Sequence, residues 1–249
     1  MRFYAYRKEE LMNRVKGTSK TASVAIIVFF AIAFFLAAAT PSNAQSDKAQ
    51  VLVDKAVAAL EDFLKDPNMV WFRDNLKYTK GLMILPTIVK AGFFWGGSGG
   101  NGVLFSRDPK TNKWSGPAFY SLGSVSFGLQ VGGQVSQVIM MILTQKGMEA
   151  LYSSNVKIGG TASAAAGPVG VGTAGSTTLN MSADMLTFIR AKGAFVGAAL
   201  DGALLVINDG YNKSYYGQTV RPVDIFITRD VNNPGSSELR AQLHEASIK

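Results

Sequence analysis

Twenty-five of the 26 glycines fall between Gly81 and Gly235, interleaved with short apolar runs bounded by turn residues. Glycine at that density works against long helices, since each one costs roughly 1 kcal/mol in a helix interior. It suits strands that bend or lie close to another backbone. The pattern predicts an α+β chain: a glycine-rich, curled antiparallel β-sheet or small β-barrel, with an N-terminal and a C-terminal helix packed on it. Val125, Phe127, Leu129 and Val131 alternate with Ser126, Gly128 and Gln130 at period two, as in a half-buried strand. Further strands are expected around 156–163, 169–179, 185–190 and 194–207, and the β-branched and methionine-rich run 135–143 fits strand or helix. The Ala/Gly stretch 159–175 reads as a glycine-rich strand pair rather than a linker.

Helical spacing appears outside the glycine-rich body. Ala49, Leu52, Ala56, Ala59, Leu60 and Phe63 recur at three- and four-residue steps within 46–66, ahead of Pro67. That stripe is read as docking on the core, with membrane insertion as the alternative. A short helix is expected at 145–152 with Thr144 as its cap, and another at 236–247 with Leu239, Leu243 and Ala246 on one face.

The densest glycine segment, 90–107, contains Gly97-x-Gly99-x-x-Gly102. A dinucleotide loop of that pattern joins a strand to a helix and has an acidic residue about 20 positions on. Here Val-Leu-Phe-Ser-Arg follows, then the turn 108–113, and after Asp108 the next acid is Glu149. No Gly-Lys-Ser/Thr closes a P-loop. The reading is therefore a glycine-hinged β-hairpin. Phe93, Phe94 and Trp95 are consecutive, so a strand there puts a ring on each face. Trp71, Trp95 and Trp114 could each anchor at a membrane interface or pack in the core, and Trp114, directly after a turn, is read as packed.

Catalytic inventory is thin. His244, the single histidine, belongs to the polar terminal helix, where a solvated side chain is expected. Cysteine is absent, which excludes disulfides, cysteine–zinc sites and lipid attachment at an N-terminal cysteine. No Gly-x-Ser-x-Gly elbow sits on a strand–turn–helix, and the Asp-x-Asp calcium pattern does not occur. The chain is read as no enzyme, with no metal, cofactor or nucleotide.

Residues 1–44 read as an export signal: Arg14, Lys16 and Lys20 precede the apolar run 24–39, and Ser42-Asn43-Ala44 supplies small residues for cleavage after Ala44. Translation starting at Met12 would give a signal of more ordinary length. The competing reading is an uncleaved inner-membrane anchor over 22–40. Residues 45–249 are expected to form one domain in the periplasm or cell envelope. Of the formal charge of +8, residues 1–44 hold six bases and two acids, leaving +4. Residues 75–200 carry ten bases and three acids, so the cationic charge lies in the body. Such a body suits anionic headgroups, and no basic cluster interleaved with stacking aromatics points to nucleic acid.

Several of these residues carry a resemblance. Thr79-Lys80-Gly81-Leu82-Met83-Ile84-Leu85, Lys90-Ala91-Gly92-Phe93, Gly100-Asn101-Gly102-Val103-Leu104, Lys113-Trp114-Ser115-Gly116-Pro117-Ala118 and Ala166-Gly167-Pro168-Val169-Gly170 resemble successive signatures of the SYLF (Ysc84-type) domain family. Gly193-Ala194-Phe195-Val196-Gly197-Ala198-Ala199-Leu200-Asp201-Gly202 and Tyr215-Tyr216-Gly217 resemble its C-terminal block, and the likeness runs from about Ala49 to Ile227. The structural signature positions are Gly92, Gly99, Gly100, Gly102, Trp114, Pro117, Gly167, Pro168, Gly197 and Gly202. The family includes endocytic adaptors whose domain binds phosphoinositide membranes and actin filaments, and exported bacterial proteins. Its N-terminal amphipathic segment is implicated in membrane contact. Gln137 stands where an acid often follows the Val-Ser of that strand, and Gly193-Ala194-Phe195 replaces the usual Gly-Leu-Phe, so phosphoinositide specificity and actin binding are not carried over.

The resulting expectation is an exported, non-enzymatic module that binds an anionic phospholipid or membrane surface at the cell envelope, with Lys80, Lys90, Arg107, Lys110, Lys113, Arg190 and Lys192 as headgroup contacts. The alternative is a structural or protein-interaction module with an envelope protein as partner; a third reading is a hydrolase with an unfamiliar site. The hairpin reading predicts that ATP and NAD leave the melting temperature unchanged. A phosphate-cradling loop would instead gain about 2.7 kcal/mol at 100 times the dissociation constant, and a reproducible shift in a melting curve would restore it.

Overall fold

The computed structural model describes residues 42–92, 95–127, 132–153, 155–170, 182–191, 194–196, 200 and 202–248. Most of the expected signal, Phe93, Phe94, the side chain of Trp95, Leu129, Val131, Lys192, Gly197 and most of the strand expected at 169–179 lie outside them. The chain divides into units 1–44 and 45–249, and the second is the subject here.

Helix α1 (Ser42–Lys65) forms where the three- and four-residue apolar spacing predicts, and Ala49, Leu52, Ala56, Ala59, Leu60 and Phe63 are all buried against the sheet. Docking, not an outward membrane face, is the fate of that stripe. Asp66 ends the helix: its Oδ1 accepts from Asn68 N at 2.8 Å, and Pro67 opens a 3₁₀ turn. Arg73 Nη1 donates to Leu64 O and Asp66 O, satisfying carbonyls that the helix end leaves open. Arg73 belongs to the short helix α2 (Val70–Asn75), and a 3₁₀ turn, Leu76–Tyr78, leads into the sheet.

Four long strands follow: β1 (Gly81–Gly92), β2 (Trp95–Arg107), β3 (Trp114–Phe127) and β4 (Gly132–Ile142). Helix α3 (Gln145–Ser153) begins at Thr144, whose Oγ1 accepts from Gly147 N as the cap predicted. Then come β5 (Val156–Lys157), β6 (Ala164–Ala166), β7 (Met185–Ala191), β8 (Ala194–Val196), β9 (Leu204–Ile207), α4 (Asp209–Tyr216), a π-helical turn (Asp224–Thr228) and α5 (Ser237–Ile248). The sheet order is β5-β9-β3-β2-β1-β4-β7-β6, with β8 also on β7. All pairs are antiparallel except β6 on β7, so the sheet is mixed rather than purely antiparallel. Curling follows from one connection. Ile158 N donates to Ala203 O beside β9, and Ser163 O accepts from Met185 N at β7. Five Cα steps reach at most about 18 Å, whereas β9 and β7 in a flat sheet would lie about 24 Å apart. The turn in between, closed by Gly159 N donating to Ala162 O, shortens the reach further.

Both faces of the sheet are buried, and strict alternation sorts the side chains. Leu82, Ile84, Val103, Phe105, Phe119, Ile139, Met141, Leu186 and Phe188 meet α1, α2 and α5. Met83, Leu85, Leu104, Tyr120, Val138, Met140, Ile142 and Met185 fill the other face with Met148, Leu151, Ile225 and Phe226. Burial on both sides explains why 135–143 lacks alternation although it is strand. Trp114 is buried, as expected, and donates from Nε1 to Ser247 Oγ of α5 at 3.1 Å.

Pro86, buried in the central strand β1, interrupts this order. Lacking an N–H, it cannot continue both ladders. On the β2 side Leu85 and Pro86 oppose Gly102 alone, and on the β4 side Pro86 and Thr87 oppose Gln137 alone. This is a β-bulge. It explains two glycines directly: a Cβ on Gly100 would lie 2.2 Å from Thr87 O, and one on Gly102 2.7 Å from both Ile84 O and Leu85 Cγ. Close approach, not positive φ, fixes these positions, and the Gly97-x-Gly99-x-x-Gly102 pattern lies wholly inside β2 of a β-hairpin.

Two expectations need correcting. The strand expected at 156–163 is only two residues long before the chain turns. The run expected at 194–207 is two strands on different neighbours, β8 on β7 and β9 on β3, with Gly202 at φ +80° between them. Helix α4 and the π-helical turn went unforeseen because neither has an extended apolar stripe. The glycine argument predicts that Gly100→Ala and Gly102→Ala each lower stability by roughly 1–3 kcal/mol through overpacking. Gly99→Ala, whose Cβ would meet Leu122 O at an ordinary 3.4 Å, is expected to change the melting temperature little.

Candidate functional site

Where β1 and β3 begin and β2 and β4 end, the sheet carries a cationic turn. Asp108 organises it. Its Oδ1 accepts from Lys110 N at 2.8 Å and Thr111 N at 2.9 Å, while Asn112, at φ +57°, donates its N–H to Asp108 O. Asp108 N in turn donates to Lys113 O, which closes the loop. Asp108 Oδ2 pairs with Arg229, and this contact followed by the two turn amides holds the carboxyl well below the usual carboxylate range. Arg107 donates from Nη1 to Lys77 O and from Nη2 to Asn112 Oδ1, tying the loop to the turn before β1. Arg107 N also donates to Lys80 O. Lys77, Lys80, Arg107, Lys110 and Lys113 are thereby gathered around one end of the sheet, with Lys110 and Lys113 exposed on the loop. His244, exposed on α5, places Nδ1 3.3 Å from Asn112 O.

Of the seven cations singled out from the sequence, Lys80, Arg107, Lys110 and Lys113 therefore converge. Lys90 does not: ten residues along β1 from Lys80, it lies roughly 30 Å away at the glycine-rich end. Arg190 faces α1 instead, pairing with Asp62 Oδ2 at 2.6 Å, and Gln137 donates to the same oxygen at 3.0 Å. Lys77 and Arg229 join the turn without having been singled out. Only the register of the turn against 76–78 and 224–229 brings them there, and no sequence spacing encodes it. The glycine-rich end presents a different surface, a groove of about 410 Å³ between α1 and the β1–β2 hairpin, lined by Val51, Lys55, Val89, Gly99, Gly100 and Tyr211 among others.

A second carboxylate stands where β4 ends and β7 begins. Asp184 accepts from Thr144 Oγ1 at 2.6 Å and from Ser163 N and Oγ at 2.9 Å, with Lys146 Nζ 3.4 Å away. It joins the start of α3 to β7. Burial opposes its charge, but the hydrogen bonds from Thr144, Ser163 and Lys146 outweigh burial and hold it at about 2. Among the described residues no group of three or more His, Asp or Glu could hold a metal ion.

Residues 123–246 match the family model described as "Ysc84: Las17-binding protein actin regulator". SH3 domain-containing YSC84-like protein 1 of Bos taurus is 29% identical over 204 residues, covering 80% of this chain and 58% of the relative. The Homo sapiens protein of that name is 29% identical over 204 residues, 57% of its length. LAS seventeen-binding protein 3 of Saccharomyces cerevisiae (strain ATCC 204508 / S288c) is 31% identical over 172 residues, 66% of this chain and 37% of that protein. The chain spans 58% or less of the length of these relatives. The family's description is one of binding and regulation rather than of catalysis.

The Asp184 geometry has a pH signature. Its folded value lies below the ordinary 3.8, so its contribution is complete above about pH 5 and is lost as pH falls through about 4 to 2. Asp108 acts in the same direction. Melting temperature measured from pH 6 to pH 2 is expected to fall over that window, and to fall less steeply in Asp184→Asn, whose starting stability is lower.

Proposed function

From the premise that the chain belongs to the Ysc84 (SYLF) family, we propose that it is a non-catalytic binding module that docks through its cationic end on an anionic membrane surface. On the export reading of residues 1–44, that surface belongs to the cell envelope. The observation that carries the proposal is the gathering of Lys77, Lys80, Arg107, Lys110 and Lys113 around one loop whose backbone is fixed by Asp108 and Arg107. Each such cation near a charged bilayer contributes about 1 kcal/mol. The loop is held in place before binding, so little ordering accompanies docking.

Flotation of the chain with anionic and with neutral vesicles tests the reading, because the apolar run 24–39 would associate with either kind. The chain is expected to prefer anionic vesicles at low salt and to lose that preference as salt rises. Lys110→Glu combined with Lys113→Glu should abolish the preference while changing stability by no more than about 0.5 kcal/mol. Equal binding to both vesicle types at low salt would remove the membrane reading. A protein-interaction module is the second reading, favoured by the yeast relative's name as a LAS seventeen-binding protein. It predicts indifference to vesicle charge and co-purification with a protein partner.

A further inference from the structure

The π-helical turn Asp224–Thr228 is fastened from below. Phe226 and Ile225 are buried, and the Phe226 ring lies 5.4 Å from that of Tyr152 and next to Gly116 at the start of β3. Asp224 Oδ2 accepts from Arg221 N at 2.8 Å, Thr228 Oγ1 donates to Asp224 O, and Arg229 leaves the turn at φ +60° to reach Asp108. With its inner residues fixed, the turn presents two apolar side chains to solvent: Val223 is 39% exposed and Ile227 59%. Four residues apart, they lie on one side of the turn.

Single exposed aliphatic residues are ordinary; the setting of this pair is not. The Arg229–Asp108 contact places the turn beside the cationic loop. Over 107–113 and 221–230 together, five cations (Arg107, Lys110, Lys113, Arg221 and Arg229) stand against Asp108, Asp224 and Asp230. Each of those three carboxylates is already engaged, by Arg229, Arg221 N and Thr228 respectively. A rigid apolar tip ringed by a positive excess is complementary to a bilayer whose anionic headgroups overlie hydrocarbon. A protein partner of this site would need an acidic rim around an apolar socket, which is a more specific requirement.

We propose that Val223 and Ile227 are the insertion point of the cationic end, entering the headgroup–acyl boundary of an anionic bilayer while Lys110, Lys113 and Arg221 contact the headgroups. This rests on the membrane reading above and adds to it a depth and an orientation. The N-terminal helix, with its apolar stripe spent on the core, lies outside this contact.

The absence of cysteine makes the test clean. An environment-sensitive fluorophore is placed on Ile227→Cys and, as a control, on Val135→Cys, an exposed position at the opposite, glycine-rich end of the sheet. Each labelled full chain is mixed with phosphatidylserine-containing vesicles and separately floated. The Ile227 label is expected to shift to the blue and become shielded from an aqueous quencher, while the Val135 label stays in water. The neutral variant Val223→Ser with Ile227→Ser should weaken anionic-vesicle binding on the order of tenfold, through lost apolar burial without any change of charge. A label at Ile227 that remains aqueous on a chain that floats overturns the proposal, leaves the membrane reading standing and assigns the exposed pair to a protein partner. A chain that shows no preference for anionic vesicles overturns both.

Discussion

Proline at position 86 has no N–H to donate, yet it occupies the central strand of a nine-stranded sheet, paired on both sides, where a missing donor interrupts a ladder. The sheet responds with a bulge, and much of the architecture follows. Before the bulge Met83 and Leu85 belong to one buried face and Leu82 and Ile84 to the other; after it Ile88, not Thr87, joins Met83 and Leu85. Gly102 lies opposite the extra residue on one side and Gln137 on the other. Gly100 meets the displaced carbonyl of Thr87. Gln137, facing the bulge from β4, is the residue that bonds Asp62 of α1 and Arg190 of β7. One missing donor thus accounts for two glycines, the parity of the core and the position of a polar link between helix and sheet.

Because both faces of the sheet are covered, its polar chemistry is confined to ends and edges. At one end the strands carry Gly, Ser and Asn, and exposed Val89 and Val135 face each other across β1 and β4. At the other they terminate in turns rich in Lys, Arg and Asp. Burial of aromatic and aliphatic residues under α1, α2 and α5 makes the second end stiff, and hydrogen bonds from side chain to backbone fix its loop. A surface built this way presents charge in a fixed pattern, as the proposed docking on a plane of headgroups requires.

The relatives bear on function at the level of the family. They extend well beyond the aligned part, so the partners in their names cannot be read directly onto a chain that spans 58% or less of their length. The family model matches residues 123–246, which hold the end of β3, strands β4 to β9, helices α3 and α4 and most of α5.

The sequence by itself determined the class and the main elements. The α1 stripe, the Thr144 cap, the hairpin around the glycine cluster and the terminal helix at 236–247 are local patterns of period and punctuation, legible without a partner. It also placed Lys110 and Lys113 in the turn 108–113 directly after Arg107, which is where they stand. Tertiary structure alone decided what each charge does. Arg190 and Lys110 look alike in sequence, but one is paired with Asp62, 128 positions away, and the other is exposed on a loop. Val223 and Ile227 read as an ordinary apolar pair until the contact between Arg229 and Asp108, 121 positions apart, sets them beside the cations. Periodicity records the environment of a residue along its own element. Ion pairing, register across a bulge and the meeting of distant turns depend on which elements become neighbours, and that is fixed by the packing of the whole chain.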